Sequence, residues 1–558
     1  MNLKKNEVYT AEIIDYTTEG SGVCRIDGMA VFVPNAAVGD KAEIKILKSA
    51  KNYAFGKIEK ILSPSPDRQC PDCEIFTKCG GCTFRHISYE AELKFKQKRV
   101  YDALTRIGDI DGSIIEPIIG SPSSDCYRNK AQLPVTVDSS GMIRVGFFAP
   151  RSHRVISLDN CALQSETFNK AIAAFLKWAN EEKISVYDEK THSGILRHLY
   201  LRHAKKTDEL MVCIVANAPK IKNEEKLVKS LCGELDNLKT VVLNTNTEKT
   251  NVITGKKCRS LYGDGYITDE LCGLKFRISP LSFYQVNRDQ AEKLYGMAAD
   301  FADLKPYETL LDMYCGTGTI GLSMAHKVKN LIGVEIIPQA IEDAKKNAQR
   351  NGISNAEFIC SDAADAAAEL KKQNIHPDCI ILDPPRKGCS SELIQTVSDM
   401  SPSKIVYVSC DPATLARDIR LFEKKGYKTQ RAVPVDMFSR TGHVETVVLL
   451  SHKKPDTTIS VKVEFGEGEG KVPLDKIAER AENYKPKERV TYKMIKEYIE
   501  AKYGFKVHTA YIAEVKRDLG LPMYDAPNAV EELKQPRKHP TPEKVEAIKD
   551  ALKHYEII

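Results

Sequence analysis

The sequence contains no apolar run long enough to cross a membrane, and its first residues lack the apolar core of a signal peptide. We therefore expect a cytoplasmic protein that does not contact membranes. A strong excess of one charge is also missing, because 82 Lys and Arg against 76 Asp and Glu leave a net charge of only +6. This mildly basic balance permits an anionic partner without requiring one.

Disulfide bonds are not expected either, although the chain has 16 cysteines, because the cytoplasm keeps thiols reduced. Four of them nevertheless lie within 13 residues, at Cys70, Cys73, Cys79 and Cys82. Zinc ribbons separate their cysteine pairs by about a dozen residues or more. The shorter gap here favours one compact inorganic cluster with one ligand from elsewhere in the chain. A zinc site and unligated thiols are the alternatives.

The first half of the chain is predicted to form two domains. Residues 1–62 contain five short strands separated by turn residues, which indicates a small β-barrel of the oligonucleotide-binding (OB) type. Its lysines near Tyr53 and Phe55 are compatible with a nucleic-acid surface, although scattered surface lysines are an equally good interpretation. Residues 63–275 include the cysteine cluster and combine strands with a helix at 166–182, which predicts an α+β domain.

The second half is predicted to form a nucleotide-binding sheet and an extension. Residues 276–452 alternate strands with helical stretches, the pattern of a doubly wound, Rossmann-like parallel sheet. Residues 453–558 are polar, with helical patterns at 491–503 and 509–519. We interpret them as a C-terminal accessory extension, with nucleic-acid contact as the alternative. The whole chain is therefore predicted to be a multidomain α/β protein.

A glycine-rich turn between a strand and a helix marks a ligand site in the predicted Rossmann-like sheet. The stretch 310–321 reads LLDMYCGTGTIG, in which Asp312 and Tyr314 precede the glycines. Glycines let a ligand approach the backbone closely. Glu335 ends the next strand and is placed to bind ribose hydroxyls. The pattern predicts a nucleoside-containing cofactor; a nicotinamide enzyme or a purely structural domain is the alternative at this point.

Two further strands of this domain end in side chains that could take part in a reaction. Asp383 follows the strand CIIL and begins the motif DPPRKG. Cys410 follows the strand IVYV. A cysteine at such a strand end is either a small packed hydrophobe or a nucleophile. Taken alone, Cys410 fits the inert interpretation better, because free cysteine is among the most buried residue types.

Together these motifs resemble the family of RNA uracil-C5 methyltransferases, over about four fifths of the chain. Amino-group methyltransferases usually carry an aromatic residue after the Pro-Pro, where this chain has Arg386 and Lys387. The features that carry the resemblance are a TRAM-type barrel, the cysteine cluster and the motifs SFYQVN (282–287), LDMYCGTG (311–318), DPPRKG (383–388), VSCDPATLARD (408–418) and VDMFSRTGHVET (435–446).

The resemblance implies methylation of C5 of uridine with S-adenosylmethionine. C5 of uracil is too electron-poor to attack a methyl sulfonium unaided, so a thiolate must first add to C6. By resemblance, Cys410 is this nucleophile and Glu445 is the general base that removes the C5 proton. A thiolate needs a nearby cation or donor, and the sequence leaves Arg386, Lys387 and Arg417 as candidates.

The resemblance also implies the ligands of two cofactors. The residues that would contact S-adenosylmethionine are Gln285, Tyr314, Glu335 and Asp383, with Asn287 and Asp362 as weaker choices. The residues that would hold a four-iron, four-sulfur (4Fe-4S) cluster are Cys73, Cys79, Cys82 and Cys161. Cys70 in place of Cys161 is the alternative.

The barrel and the cysteine cluster resemble the ribosomal RNA members of the family, which implies a monomer that acts on 23S ribosomal RNA. A transfer RNA uridine-C5 methyltransferase and a non-catalytic RNA-binding protein with a vestigial methyltransferase domain are the alternatives. Ordinary surface or core positions are the alternative for each of the basic and aromatic residues that could contact the RNA, which are Tyr127–Lys130, Phe147, Phe148, Arg151, His153 and Arg197–Arg202.

Overall fold

The computed structural model describes residues 3–158, 160–452, 492–519 and 539–555. The chain divides into two compact units, Met1–Asp456 and Thr457–Ile558. Residues 453–491, with which the predicted extension begins, lie outside the described residues. The domain boundaries proposed within the first unit stay predictions.

The N-terminal segment forms one curved, six-stranded sheet. Its strands are β1 (Val8–Glu12), β2 (Asp15–Tyr16), β3 (Gly22–Ile26), β4 (Met29–Val33), β5 (Lys41–Ser49) and β6 (Tyr53–Ser63). They are arranged in the order β1-β5-β6-β4-β3-β2, and only β4 and β6 pair in parallel. Alternate residues of β5, Ala42, Ile44 and Ile46, are fully buried in the barrel core. The barrel and its five predicted strands are confirmed; the two-residue strand β2 was not predicted.

A seven-stranded sheet forms the middle of the first unit. Its strands are β7 (Lys130–Val137), β8 (Ile143–Phe148), β9 (Val155–Ser157), β10 (Leu196–Ala204), β11 (Glu209–Ala216), β12 (Leu238–Thr245) and β13 (Lys257–Tyr262). The strand order is β13-β12-β11-β10-β7-β8-β9. Helices α2 (Thr167–Glu181) and α3 (Glu224–Glu234) pack on it. Helix α2 buries Phe168, Phe175 and Trp178 because these side chains share one face at helical spacing.

The third sheet is the predicted Rossmann-like one. Its strands are β16 (Thr309–Met313), β17 (Asn330–Glu335), β18 (Ala356–Cys360), β19 (Cys379–Leu382), β20 (Lys404–Ser409), β21 (Tyr427–Val435) and β22 (Glu445–His452), preceded by a hairpin of β14 (Ile267–Leu271) and β15 (Leu274–Ile278). The order is β18-β17-β16-β19-β20-β22-β21. β22 runs antiparallel to both neighbours, while the strands from β18 to β20 pair in parallel.

Helices cover both faces of this sheet. They are α4 (Arg288–Ala302), α5 (Thr319–Met324), α6 (Pro338–Arg350), α7 (Ala363–Lys372), α8 (Ser391–Asp399) and α9 (Pro412–Lys424). Helix α1 (Tyr89–Arg106) precedes the middle sheet in the chain, yet Val100, Ala103 and Leu104 on it belong to the core of the Rossmann-like sheet. Helix α1 therefore joins the segment after the cysteines to the sheet that carries Cys410.

The described part of the second unit contains helices α10 (Tyr492–Tyr503), α11 (Thr509–Asp518) and α12 (Pro542–His554). Their apolar side chains form one core that includes Ile499, Ile512, Ile548 and Leu552. The helices predicted at 491–503 and 509–519 are confirmed, and α12 was not predicted. A search of the described helices finds none with both the length and the apolar content that a membrane span needs.

A buried ion cluster fixes α1 to the segment before β22. The Lys96 ammonium lies 2.6 Å from Glu92 Oε1 and 2.6 Å from Asp436 Oδ1, and all three side chains are fully buried. The hydroxyls of Tyr89 and Ser439 donate hydrogen bonds to Asp436 Oδ2. Burial raises the pKa of Glu92 to about 7, and the Lys96 charge opposes this rise.

We predict that Lys96→Met lowers the free energy of unfolding by about 3–5 kcal/mol, because two buried carboxylates lose their only ammonium. The measurement is equilibrium denaturation in urea. Lys98→Met on the same helix is the control, since Lys98 is half-exposed in its ion pairs with Asp15 and Asp102, and it should cost no more than about 1 kcal/mol. Equal losses for the two variants would contradict the prediction.

Candidate active site

The six side chains that the sequence assigned to catalysis and to the nucleoside cofactor line one cavity of about 840 Å³ in the first unit. They are Gln285, Tyr314, Glu335, Asp383, Cys410 and Glu445. Tyr314, Glu335, Asp383 and Cys410 stand at or just after the ends of β16, β17, β19 and β20. Parallel strands end at a common edge, which explains why residues far apart in sequence meet there.

Glu445 reaches the same edge by a different route. It is the first residue of β22, and β22 is antiparallel to β20. An antiparallel strand therefore begins at the edge where its parallel neighbours end. Glu445 thus lies beside the strand that leads to Cys410.

The glycine-rich turn brings backbone N–H groups to the cavity wall. Tyr314, Gly316 and Gly318 all have positive φ, at 67°, 56° and 81°. Glu335 Oε2 accepts a hydrogen bond from the Gly316 backbone at 3.2 Å, and its Oε1 accepts one from the Ile337 backbone at 2.9 Å. The turn thus fixes the Glu335 carboxylate at the wall of the cavity.

The loop that carries Gln285 is held by the middle sheet. The side-chain amide of Asn129 donates to the Gln285 carbonyl at 2.9 Å, and the Asn129 backbone donates to the Val286 carbonyl at 2.9 Å. Arg202 donates to the Ser282 carbonyl. Sequence reasoning missed these supports, because residues such as Asn129, just before β7, and Arg202, on β10, carry no local signal for a contact with a loop so far along the chain.

The acidic groups around Cys410 have displaced pKa values. Burial, and then the neighbouring Glu445 and Asp383 charges, raise the pKa of Cys410 to about 11, and Arg386 opposes this rise. Burial, and then the Asp383 charge, raise the pKa of Glu445 to about 8. Burial raises the pKa of Asp383 to about 7. The site therefore disfavours negative charge, and Arg386 is the cation that counters this.

The structure separates the three candidate partners of the Cys410 thiol. Arg386 lines the cavity with Cys410 and lowers its pKa. Lys387 also lines the cavity but is not among the main charges that shift this pKa. Arg417 instead pairs with Asp418 and donates to the Lys387 carbonyl. Arg386 is therefore the candidate that the geometry supports.

The structure also shows which of three further residues line the cavity. Asp362 lines the cavity. Asn287 is buried; its side chain caps α4 and donates to the Met437 carbonyl, so the prediction of a cofactor contact is not supported by its position. His443 lines the cavity, and burial, with the charge of Arg386, lowers its pKa to about 4. His443 is therefore neutral at pH 7.

A second cavity of about 680 Å³ is also lined by Cys410. It lies between residues 15–19 of the barrel, α1 and the start of α9. The two cavities share Arg386, Cys410 and His443. Cys410 therefore stands where the two cavities meet.

Four cysteines line a separate small cavity together with Arg85 and Arg128. They are Cys73, Cys79, Cys82 and Cys161, whereas Cys70 is exposed and does not line it. In the described ranges, no group of three or more His, Cys, Asp or Glu side chains is arranged to hold a metal ion. The cavity therefore gathers the predicted cysteines without establishing a cluster.

Several of the candidate RNA contacts are buried, which agrees with the alternative that they are core residues. Arg197, His198, Tyr200 and Arg202 lie inside β10 with at most 9% exposure. The Arg197 guanidinium is used to bind the carbonyls of residues 246, 248 and 250. Non-local pairing of β10 with β7 and β11 buries these side chains, which their polar sequence does not reveal. Tyr127 is buried as well.

Comparison with protein families gives two matches. The model described as tRNA (Uracil-5-)-methyltransferase matches residues 88–453, and the TRAM domain model matches residues 3–58. An uncharacterized RNA methyltransferase of Clostridium tetani is 44% identical over 450 residues, which are 81% of this chain and 97% of that protein. One from Halalkalibacterium halodurans is 43% identical over 451 residues, 81% of this chain and 98% of its own length.

A solved structure is also similar. The chain aligns with the Pyrococcus abyssi tRNA (uracil-54, C5)-methyltransferase in complex with S-adenosyl-L-homocysteine, with a TM-score of 0.65 and 29% identity. The alignment covers 79% of this chain and 99% of the archaeal one. It is longer than the span 88–453, so it extends beyond the region of the first family model.

We predict that Glu445→Gln stabilises the protein increasingly as the pH rises from about 5 to about 8. The folded pKa of Glu445, about 8, lies above its ordinary value of 4.5, so ionisation opposes folding. This penalty is absent below pH 4.5, grows by about 1.4 kcal/mol per pH unit at most, and is complete above pH 8.

The measurement is the difference in melting temperature between the variant and the unchanged protein across this pH range. Glu234→Gln serves as control, because Glu234 is exposed at the end of α3 and stays hydrated in both states. A Glu445→Gln difference that does not change with pH would show that the carboxylate ionises normally.

Proposed function

The chain belongs to the tRNA (uracil-5-)-methyltransferase family, RNA methyltransferases that use S-adenosylmethionine, and we propose that it methylates C5 of a uridine in RNA through a covalent adduct with Cys410. The observation that carries the proposal is that Cys410 and Glu445 line one cavity with the predicted cofactor residues. A vestigial methyltransferase domain has no use for a nucleophile and a base kept together in this way.

The proposed reaction uses these two side chains in sequence. The Cys410 thiolate forms a bond to C6, and the electron pair of the C5–C6 double bond moves to C5 and O4. S-adenosylmethionine supplies an electrophilic methyl group: C5 forms a bond to it as the S–CH3 bond breaks, and the electron pair stays with the leaving S-adenosyl-L-homocysteine. Glu445 then takes the proton from C5, the C6–S bond breaks, and the double bond is restored as the thiolate leaves.

The pKa values fit this division of roles. A base with a pKa of about 8 can both accept and release a proton near neutral pH. The pKa of the Cys410 thiol is about 11 even with Arg386 nearby, so Arg386 favours the thiolate without making it the main form at neutral pH. Arg386 is the positive group that favours the thiolate.

The cofactor would occupy the part of the cavity beneath the glycine-rich turn. Glu335 would bind the ribose hydroxyls, and Gln285 and Tyr314 would form neighbouring walls. Asp383 belongs to the same set, and its effect on the pKa values of Cys410 and Glu445 places it near the reacting pair as well.

We further propose that Cys73, Cys79, Cys82 and Cys161 hold a 4Fe-4S cluster. The fit rests on the donor set, because four thiols line one cavity and Cys70 does not take part. Arg85 and Arg128 on the same cavity would balance the negative charge of a thiolate-bound cluster. The cluster would be structural, since the methyl transfer contains no redox step.

The proposed substrate is 23S ribosomal RNA, in line with the barrel and the cysteine cluster, with the enzyme acting as a cytoplasmic monomer. Transfer RNA is the second candidate, and a specific observation favours it. The aligned archaeal enzyme is named for tRNA uridine 54 and matches this chain over more than residues 88–453. The target uridine would be single-stranded or flipped out, because a stacked base cannot reach Cys410.

We predict that Cys410→Ala abolishes methyl transfer and that Glu445→Gln leaves a protein–RNA adduct. The first variant lacks the attacking sulfur, and the second lacks the base that completes the reaction. Transfer is measured with labelled S-adenosylmethionine, and the adduct appears as a slower band in a denaturing gel. Cys232→Ser, which removes an exposed thiol, should retain full activity. Normal transfer by Cys410→Ala would refute the covalent mechanism.

We predict that label enters ribosomal RNA of the large subunit and maps to 5-methyluridine. Purified ribosomal and transfer RNA are incubated in separate reactions, and the modified nucleoside is located by mass spectrometry of RNase fragments. Label found only in transfer RNA would contradict the ribosomal assignment and support transfer RNA as the substrate.

We predict about four iron atoms per chain in anaerobically purified protein. Cys161→Ser should lose most of the iron, because Cys161 lines the cavity, and Cys70→Ser should retain it. Iron and acid-labile sulfide are measured chemically, together with the visible absorption. Loss of iron from Cys70→Ser but not from Cys161→Ser would show that Cys70 is the fourth ligand in place of Cys161. Colourless protein with one zinc atom would contradict the proposal of an iron–sulfur cluster.

A further inference from the structure

Asp418 is a fully buried carboxylate on α9, in the helix that begins two residues after Cys410. Its Oδ2 accepts hydrogen bonds from the Tyr407 hydroxyl at 2.7 Å and from the Cys389 backbone at 2.8 Å. Its Oδ1 accepts one from Arg417 Nε at 2.8 Å. Three donors on three parts of the chain therefore meet at one carboxylate.

These contacts fix the loop that follows Asp383. Arg417 Nη2 donates to the carbonyls of Lys387 at 2.9 Å and of Cys389 at 3.4 Å. Gly388 has a φ of 75°, and a Cβ atom there would lie 2.5 Å from both Arg417 Nη2 and Asp418 Oδ2. The loop backbone is therefore held on one side by α9 with no space for another side chain.

Arg386 lies in the middle of this loop and lines both cavities at Cys410. In the part of the chain that the structure describes, no hydrogen bond or ion pair holds its guanidinium. The position of the Arg386 charge consequently depends on the backbone of residues 384–389. That backbone is anchored to Asp418 and Arg417.

We propose that Asp418 is a positioning residue that, with Arg417, holds loop 384–389 so that the Arg386 guanidinium faces the Cys410 thiol. This inference rests on the proposed function only for the role of Cys410 as the nucleophile. An asparagine at 418 would keep one acceptor and add an N–H donor. That donor would oppose either Arg417 or the Cys389 N–H, so at least one anchor of the loop would be lost.

The test measures the reactivity of Cys410 itself and needs no RNA. The full-length protein reacts with iodoacetamide between pH 7 and 10, and the Cys410 peptide is quantified by mass spectrometry. We expect Asp418→Asn, Arg417→Gln and Arg386→Gln each to slow the labelling of Cys410 at pH 8 by about threefold or more, because a thiolate that loses a nearby cation has a higher pKa.

The double variant Arg386→Gln with Asp418→Asn separates positioning from general stability. If Asp418 acts through Arg386, the double variant is labelled no more slowly than Arg386→Gln alone. The proposal would be overturned if the two substitutions together slowed the labelling of Cys410 by the product of their separate factors. Unchanged labelling in Asp418→Asn would also overturn it. Thermal unfolding and S-adenosyl-L-homocysteine binding are measured on every variant to confirm folding.

Arg417→Gln decides the question if Asp418→Asn does not fold, because the Arg417 side chain is 49% exposed and its loss is better tolerated. The same cycle is then measured with Arg386→Gln. Failure of the proposed function is seen elsewhere, as methyl transfer by Cys410→Ala, and leaves the labelling result untouched.

Discussion

The buried ion cluster of Glu92, Lys96 and Asp436 is the constraint on which the active-site side of the molecule depends. Two carboxylates face one ammonium without water, so the cluster is stable only while every member and every hydrogen-bond donor is in place. It ties α1 to residues 436–444, the segment that leads directly to Glu445. The position of the proposed base thus depends on a charge pairing between residues 340 apart in sequence.

The same segment is where the cysteine region meets the Rossmann-like sheet. Thr83, directly after Cys82, donates its backbone N–H to the Arg440 carbonyl at 2.7 Å, and the Tyr127 hydroxyl donates to the Ser439 carbonyl at 2.9 Å. Arg128, next to Tyr127, lines the cysteine cavity. The cysteines are therefore remote from the chemistry but adjacent to the loop that presents Glu445.

Electrostatics at the site are costly for folding and useful for chemistry. Burial raises the pKa values of Cys410, Glu445 and Asp383 together, so each charge formed there opposes folding. The same burial brings the pKa of Glu445 close to neutral pH, where a base exchanges protons readily. Arg386 is the exposed counter-charge, and the rigid loop around Gly388 gives it a defined place.

The sequence by itself predicted most of the element types, the three main sheets of the first unit and, through the resemblance of its motifs, the six residues that line the cavity. These depend on local patterns, and the ends of parallel strands such as those before Asp383 and Cys410 share an edge in any doubly wound sheet. Only the tertiary structure decided that β22 is antiparallel and so presents Glu445 at that edge, that Arg197 and Arg202 are buried, and that Arg386 rather than Arg417 lines the cavity with Cys410. Each of these depends on contacts between residues distant in sequence, for which no local pattern carries a signal.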